Sequence, residues 1–155
     1  MASWNARLVD DDGSITDAAA LIDQFNREFD TPTPGPAVLK RRLTDHLASR
    51  SMFALVIGEP TCGVAVVSLR PNVWHDGAVA LLDELYVEPS MRNHGLGTKL
   101  LASARAHCRT RGVEQMEINV DVSDTDARRF YERHGFSAFD PDTGEHALWY
   151  HGTID

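Results

Sequence analysis

The chain has 155 residues, 43% of them hydrophobic and 25% charged, with a formal net charge of −8 at pH 7. That length gives one domain, 1–155, with room for a sizeable core, and the composition is that of a soluble globular protein. The acidic balance argues against nucleic acid, whose phosphates need a basic face. With no apolar run near the ~20 residues of a membrane span and no apolar signal-peptide core at the start, the chain reads as cytoplasmic, with no membrane partner.

A short strand is expected over 6–9. Ser14 with Asp17 resembles a loose capping box, and Ala18, Leu21, Ile22, Phe25 and Phe29 then recur at helical spacing. The run Thr31-Pro32-Thr33-Pro34-Gly35-Pro36 stops that helix, and Pro36 suits the first turn of the next, with Val38, Leu39, Leu43 and Leu47 on its buried side. The period then changes to that of strands. Runs at 52–57 and 64–69 flank a turn and read as a hairpin. A loop over 70–77 carries Trp74 and His75, and a strand follows over 80–87. Next come a helix over 97–111 stopped by Gly112, a strand over 116–122, a helix over 124–134 closed by Gly135, and strands over 136–139 and 147–152. The order β-α-α-β-β-β-α-β-α-β-β predicts an α/β fold, with a mixed sheet of six to seven strands and helices on both faces.

The most informative stretch runs from Leu81 to Leu101, LLDELYVEPSMRNHGLGTKLL. A strand ends at Val87, Pro89 breaks it, and Arg92-x-x-Gly95-x-Gly97 leads straight into a helix. Free N–H groups, an Arg side chain and the positive end of a helix dipole converge there, which suits a phosphate. The spacing is not that of a dinucleotide fingerprint, because Leu100 stands at the third glycine, nor that of a Walker loop, because Lys99 is followed by Leu100. A plain nucleotide-phosphate binder is one reading of this stretch.

The pattern V-x-P-x-x-R-x-x-G-x-G, carried by Val87, Pro89, Arg92, Gly95 and Gly97, resembles the acetyl-CoA motif of the GCN5-related N-acetyltransferases. Asp124 to Phe136, DTDARRFYERHGF, is similar to that family's second signature, N-x-x-A-x-x-F-Y-E-x-x-G-F. The resemblance implies acetyl-CoA as acyl donor and the mixed α/β fold reached above, and no metal is expected because no Cys/His cluster has metal-ligand spacing. It implies that backbone groups of Leu85, Tyr86 and Val87 pair with the pantetheine arm. Backbone N–H groups of Arg92, Asn93, His94, Gly95, Leu96, Gly97 and Thr98 would hold the pyrophosphate, with Arg92 as a charged partner or a pin for the loop. Tyr131 would return a proton to the departing thiolate. Asp124 stands where the family carries Asn: a carboxylate keeps the capping role, but it lacks the amide N–H that an Asn offers the pantetheine.

A lysine-like amine with pKa ~10.4 is neutral in roughly one molecule in a few thousand at pH 7, so a base is needed. Glu84, on the strand before the loop, is the leading candidate, and strand alternation would turn Asp83 to the opposite face. Glu28, Asp30, Trp74 and His75 are candidate acceptor contacts. The expected acceptor is a small-molecule amine or an aminoglycoside-like molecule. A protein N-terminus or lysine, and a non-catalytic acyl-CoA-binding module, stand as alternatives. A homodimer is compatible with the family, although no residue demands one.

Overall fold

The structure, a computed structural model, describes residues 4–154. They fall into two compact units, one ending at Ile118 and one beginning at Asn119.

The first unit is built on a five-stranded sheet of order β1-β2-β3-β4-β5: β1 Ala6–Leu8, β2 Met52–Ile57, β3 Gly63–Arg70, β4 Val79–Val87 and β5 Gln115–Ile118. The first three pairings are antiparallel and the β4–β5 pairing is parallel. Helices α1 (Asp12–Glu28), α2 (Pro36–Ala48) and α3 (Leu96–Thr110) complete it. Helix α1 starts earlier than the sequence suggests. Asp11 is the N-cap, accepting from Ser14 N–H at 2.7 Å, while the Ser14 hydroxyl accepts from the Asp11 N–H at 3.2 Å. Ser14 is thus the third residue of the box rather than its cap, and both partners satisfy otherwise orphaned donors.

Period-two alternation divides the strands between two cores. Ala54 and Val56 of β2, Val64 and Val66 of β3 and Tyr86 of β4 pack with Ala18 and Leu21 of α1 and Leu43 of α2. On the other face Phe53 meets His107 of α3, with ring centroids 4.4 Å apart. Helix α3 buries Leu96, Leu100, Leu101, Ala104 and Cys108. The close approach is made at Gly63, where a Cβ would stand 2.9 Å from Ile57 Cγ2 and 3.2 Å from Leu100 Cδ1.

Among its described residues the second unit contains α4 (Thr125–Arg133) and a β-bridge, Phe139↔His146. The strands expected over 136–139 and 147–152 do not extend beyond that bridge. Asp140 N–H donates to the Glu145 carbonyl and Ala147 N–H to that of Ala138, and a turn closed by the Asp140 carboxylate joins the two sides. Past it, Leu148, Trp149 and Tyr150 stay exposed. Strand propensity is largely packing against neighbours, and these side chains stay largely in solvent, with Trp149 stacked on His151 at 4.7 Å. Among the described residues five strands therefore form instead of six to seven, within the expected α/β class.

Candidate active site

The site begins with an irregularity in β4. Val66 of β3 pairs with Glu84, but the next residue, Val67, pairs with Leu82, so Asp83 is the extra residue of a β-bulge. The consequence follows from parity. Val66 belongs to the α1 face, so its partner Glu84 does too, together with Tyr86 two residues on. Leu82 pairs with Val67 and faces the α3 side. Without the bulge, Leu82 and Glu84 would share a face. The bulge therefore turns Glu84 towards α1.

It also breaks the alternation expected for Asp83. Ser68 alternates with Val66 and lies on the α1 face, and it favours the ionised form of the Asp83 carboxyl. The charge of Asp83 acts on Glu84, so the two carboxylates are electrostatic neighbours. Desolvation, with the charge of Asp83 second, pushes Glu84 up to about 7. Desolvation raises Asp83 as well, against the pull of Ser68.

The bulge is also where β5 stops. The β4–β5 ladder ends at Leu82↔Ile118, and β5 reaches only Ile118 rather than 122. A bulge bends its strand, so a parallel neighbour loses register there. Beyond Leu82, the β5-side edge of β4 has no strand partner among the described residues. Leu85, Tyr86 and Val87 lie on that stretch. The Val87 carbonyl accepts from Arg92 Nε at 2.9 Å.

After β4 comes a 3₁₀ turn, Pro89–Met91, and then two left-handed residues, Asn93 at φ 64° and Gly95 at φ 76°. His94 donates from Nδ1 to the Arg92 carbonyl at 2.8 Å. Gly95 is the N-cap of α3 and supplies no side-chain acceptor. Leu96 turns its side chain into the core, which fixes the first turn of α3, Leu96 to Thr98, with its dipole directed at the loop.

Arg92 is tied down at this loop. Its terminal nitrogen lies 2.7 Å from Glu28 Oε1 and 2.8 Å from Oε2. The Tyr86 hydroxyl donates to the same carboxylate at 2.8 Å. Tyr86 is 3% exposed, and desolvation first, then the Glu28 hydrogen bond, push its phenol up to about 12.

Asp30, Trp74 and His75 of the first unit lie apart from this arrangement. Asp30 is exposed at φ 51°, beyond the end of α1. Trp74 and His75 are exposed on the β3–β4 loop, where their backbone N–H groups donate to Asn72 Oδ1. In the second unit Asp124 caps α4, accepting from Ala127 N–H at 3.0 Å. Tyr131 is half-buried, with ring contacts to Phe130 at 5.2 Å and Phe136 at 5.8 Å. Among the described residues, no group of three or more His, Cys, Asp or Glu side chains could hold a metal. The influence of Ser68 on Asp83 and the meeting of Glu28 with Arg92 escaped the sequence reading. Both join residues on different elements with no shared motif.

The fourth strand parts from its parallel neighbour and feeds a left-handed turn into a helix without a side-chain cap, an arrangement that offers backbone N–H donors to an anionic group. The model of the Acetyltransferase (GNAT) family matches residues 18–136, and the chain belongs to that family of N-acetyltransferases. An aminoalkylphosphonate N-acetyltransferase from Salmonella typhimurium is 30% identical over 111 residues, covering 64% of this chain and 71% of the relative. A candidate acetyltransferase from Arthrobacter sp. FB24 superposes with a TM-score of 0.88 at 46% identity, over 96% of this chain and 95% of the other. The structure of AAC(6')-Iy in complex with a bisubstrate analogue, CoA-S-monomethyl-acetylneamine, shares the fold, with a TM-score of 0.77 at 17% identity over 97% and 98% of the two chains.

Proposed function

We propose that this chain transfers the acetyl group of acetyl-CoA directly to a small-molecule primary amine, with Glu84 as general base. The observation that carries the reading is the bulge at Asp83. It sets a carboxylate poised near neutral pH on the α1 face of β4, at the point where β4 leaves β5. A base with pKa near the working pH combines a useful ionised fraction with enough basicity to take an amine proton.

Acetyl-CoA supplies the activated acyl group. Backbone groups of Leu85 to Val87 on the unpaired edge suit the pantetheine amides, and the first turn of α3 suits the pyrophosphate. Backbone N–H groups at that edge would polarise the acyl carbonyl, while Glu84 takes the ammonium proton, directly or through water. Tyr131 is assigned the return of a proton to the thiolate on the strength of its motif. A small cationic acceptor accords with the net charge of −8. The name of the Salmonella relative also points to a small amine.

The test is thermal stability with acetyl-CoA, CoA, ATP and NAD in parallel, followed by thiol release across a panel of amines. A ligand at ~100 times its dissociation constant adds about 2.7 kcal/mol, a shift of several degrees at this size. Shifts with acetyl-CoA and CoA alone, then turnover with a small amine, are expected. An equal shift with ATP would discard the cofactor assignment. Cofactor binding without turnover on any amine or peptide would leave an acyl-CoA-binding module.

A further inference from the structure

Glu28 is the last residue of α1, where a helix dipole disfavours a carboxylate. Two donors offset that cost. The Tyr86 hydroxyl reaches it from β4 at 2.8 Å, and the Arg92 guanidinium reaches it from the loop at 2.7 Å. Phe25, one turn earlier on the same helix face, stacks on the Tyr86 ring with centroids 5.0 Å apart and planes 22° apart. The last turn of α1 thus holds both the ring and the hydroxyl of Tyr86. Arg92 spans the remaining gap. Its Nε bonds the Val87 carbonyl, its terminal nitrogen meets Glu28, and its guanidinium carbon sits 5.5 Å from the Tyr86 ring centroid.

We propose that Glu28 is a positioning residue for the acetyl-CoA loop: by fixing Arg92 it holds the turn 92–98 in its phosphate-binding shape. The proposal rests on the acetyl-CoA reading above and deepens it. Asn93 and Gly95 occupy left-handed conformations in that turn, a shape that extended chain does not adopt unaided. With the guanidinium paired, the phosphates are left to the backbone N–H groups, so the geometry of the turn governs affinity. Freeing Arg92 would add a cation near the phosphates, but its half-exposed position leaves that gain screened by water and salt. Loss of shape is the larger effect.

The test is a double-mutant cycle on the full chain, with acetyl-CoA binding followed by calorimetry and the ligand-free melting temperature recorded for each protein. Glu28→Gln keeps an acceptor for the Tyr86 hydroxyl and removes the charge. Arg92→Gln removes the other partner, and Arg92→Lys replaces it in the cycle if that variant does not fold. Each single change should weaken acetyl-CoA binding about tenfold, and the double variant should be no weaker than the poorer single, because both break one contact. A Glu28→Gln protein that binds acetyl-CoA as tightly as wild type, or tighter, overturns the proposal. So do losses that multiply in the double variant, or melting points that fall while affinity holds. A wild type that binds no acetyl-CoA overturns the cofactor reading itself.

Discussion

Glu84 carries the sharpest consequences at the scale of single residues. Its carboxyl is pushed up to about 7 by desolvation and then by Asp83, and only the ionised form can accept a proton. Turnover should therefore rise with pH through about 7 before levelling. Asp83→Asn removes the neighbouring charge, so the Glu84 pKa falls and the acidic limb of the kcat profile moves to lower pH. An unmoved limb would separate Asp83 from the tuning. Glu84→Gln should lower kcat by roughly 10²-fold or more and flatten that limb. Stability should move the other way. A carboxyl whose folded pKa is raised above its unfolded value contributes stability at low pH and loses it as pH rises from the unfolded pKa through the folded one. For Glu84 that window runs from its ordinary 4.5 to about 7. Glu84→Gln escapes the loss, so its melting temperature should climb relative to wild type between pH 5 and 8. Because the group is only half-buried, about 1 kcal/mol is reasonable, or ~2–4 °C.

The loop between β4 and α3 is argued at the scale of elements. Gly95 sits at φ 76° with nothing within 4 Å of where a Cβ would stand, so backbone conformation alone opposes a side chain there. Gly95→Ala should cost about 1–2 kcal/mol of stability. Gly95→Asn should recover much of it, because Asn tolerates the left-handed region and can cap α3. If the open space is where the phosphates lie, both variants should bind acetyl-CoA more weakly, the asparagine protein despite its recovered stability. Equal affinity in all three would place the phosphates elsewhere. This turn was legible in the sequence because its chemistry is local: glycine spacing, a proline and a helix start lie within one short run. The same holds for α2 opening at Pro36 and for the β2–β3 hairpin. The bulge was not legible, because register is settled between strands. Leu82 and Tyr86 are both buried and sit at even spacing, yet they face opposite sides of the sheet. No reading of β4 alone locates the inserted residue, so alternation fails at Asp83 and β5 was drawn too long. The Glu28–Arg92 pair is hidden for a related reason. Its partners are 64 residues apart, and each belongs to an ordinary helix or turn pattern.

The chemistry of the whole molecule turns on whether the acetyl group moves once or twice. A two-step route would park it on a thiol of the enzyme, and the chain has two, Cys62 and Cys108. Both are free and buried. Desolvation raises both, joined at Cys62 by the charge of Glu88 and opposed at Cys108 by Arg111 and Arg109. A thiol must ionise to attack a thioester, and these two are buried and held as thiols. Cys108 packs within α3 against the sheet, and Cys62 closes the β2–β3 turn, donating from its backbone N–H to the Ile57 carbonyl at 2.9 Å. Their roles are those of small apolar side chains. A Cys62→Ala, Cys108→Ala double variant should accordingly keep kcat within about twofold of wild type, with a modest fall in melting temperature for the lost volume. Initial-rate plots against acetyl-CoA at several amine concentrations should intersect, as a single transfer within a ternary complex requires, whereas a covalent intermediate gives parallel lines. A folded double variant without turnover, or parallel lines in the wild type, would replace direct transfer by a thiol-borne route. Glu84 would then have to activate that thiol rather than the amine.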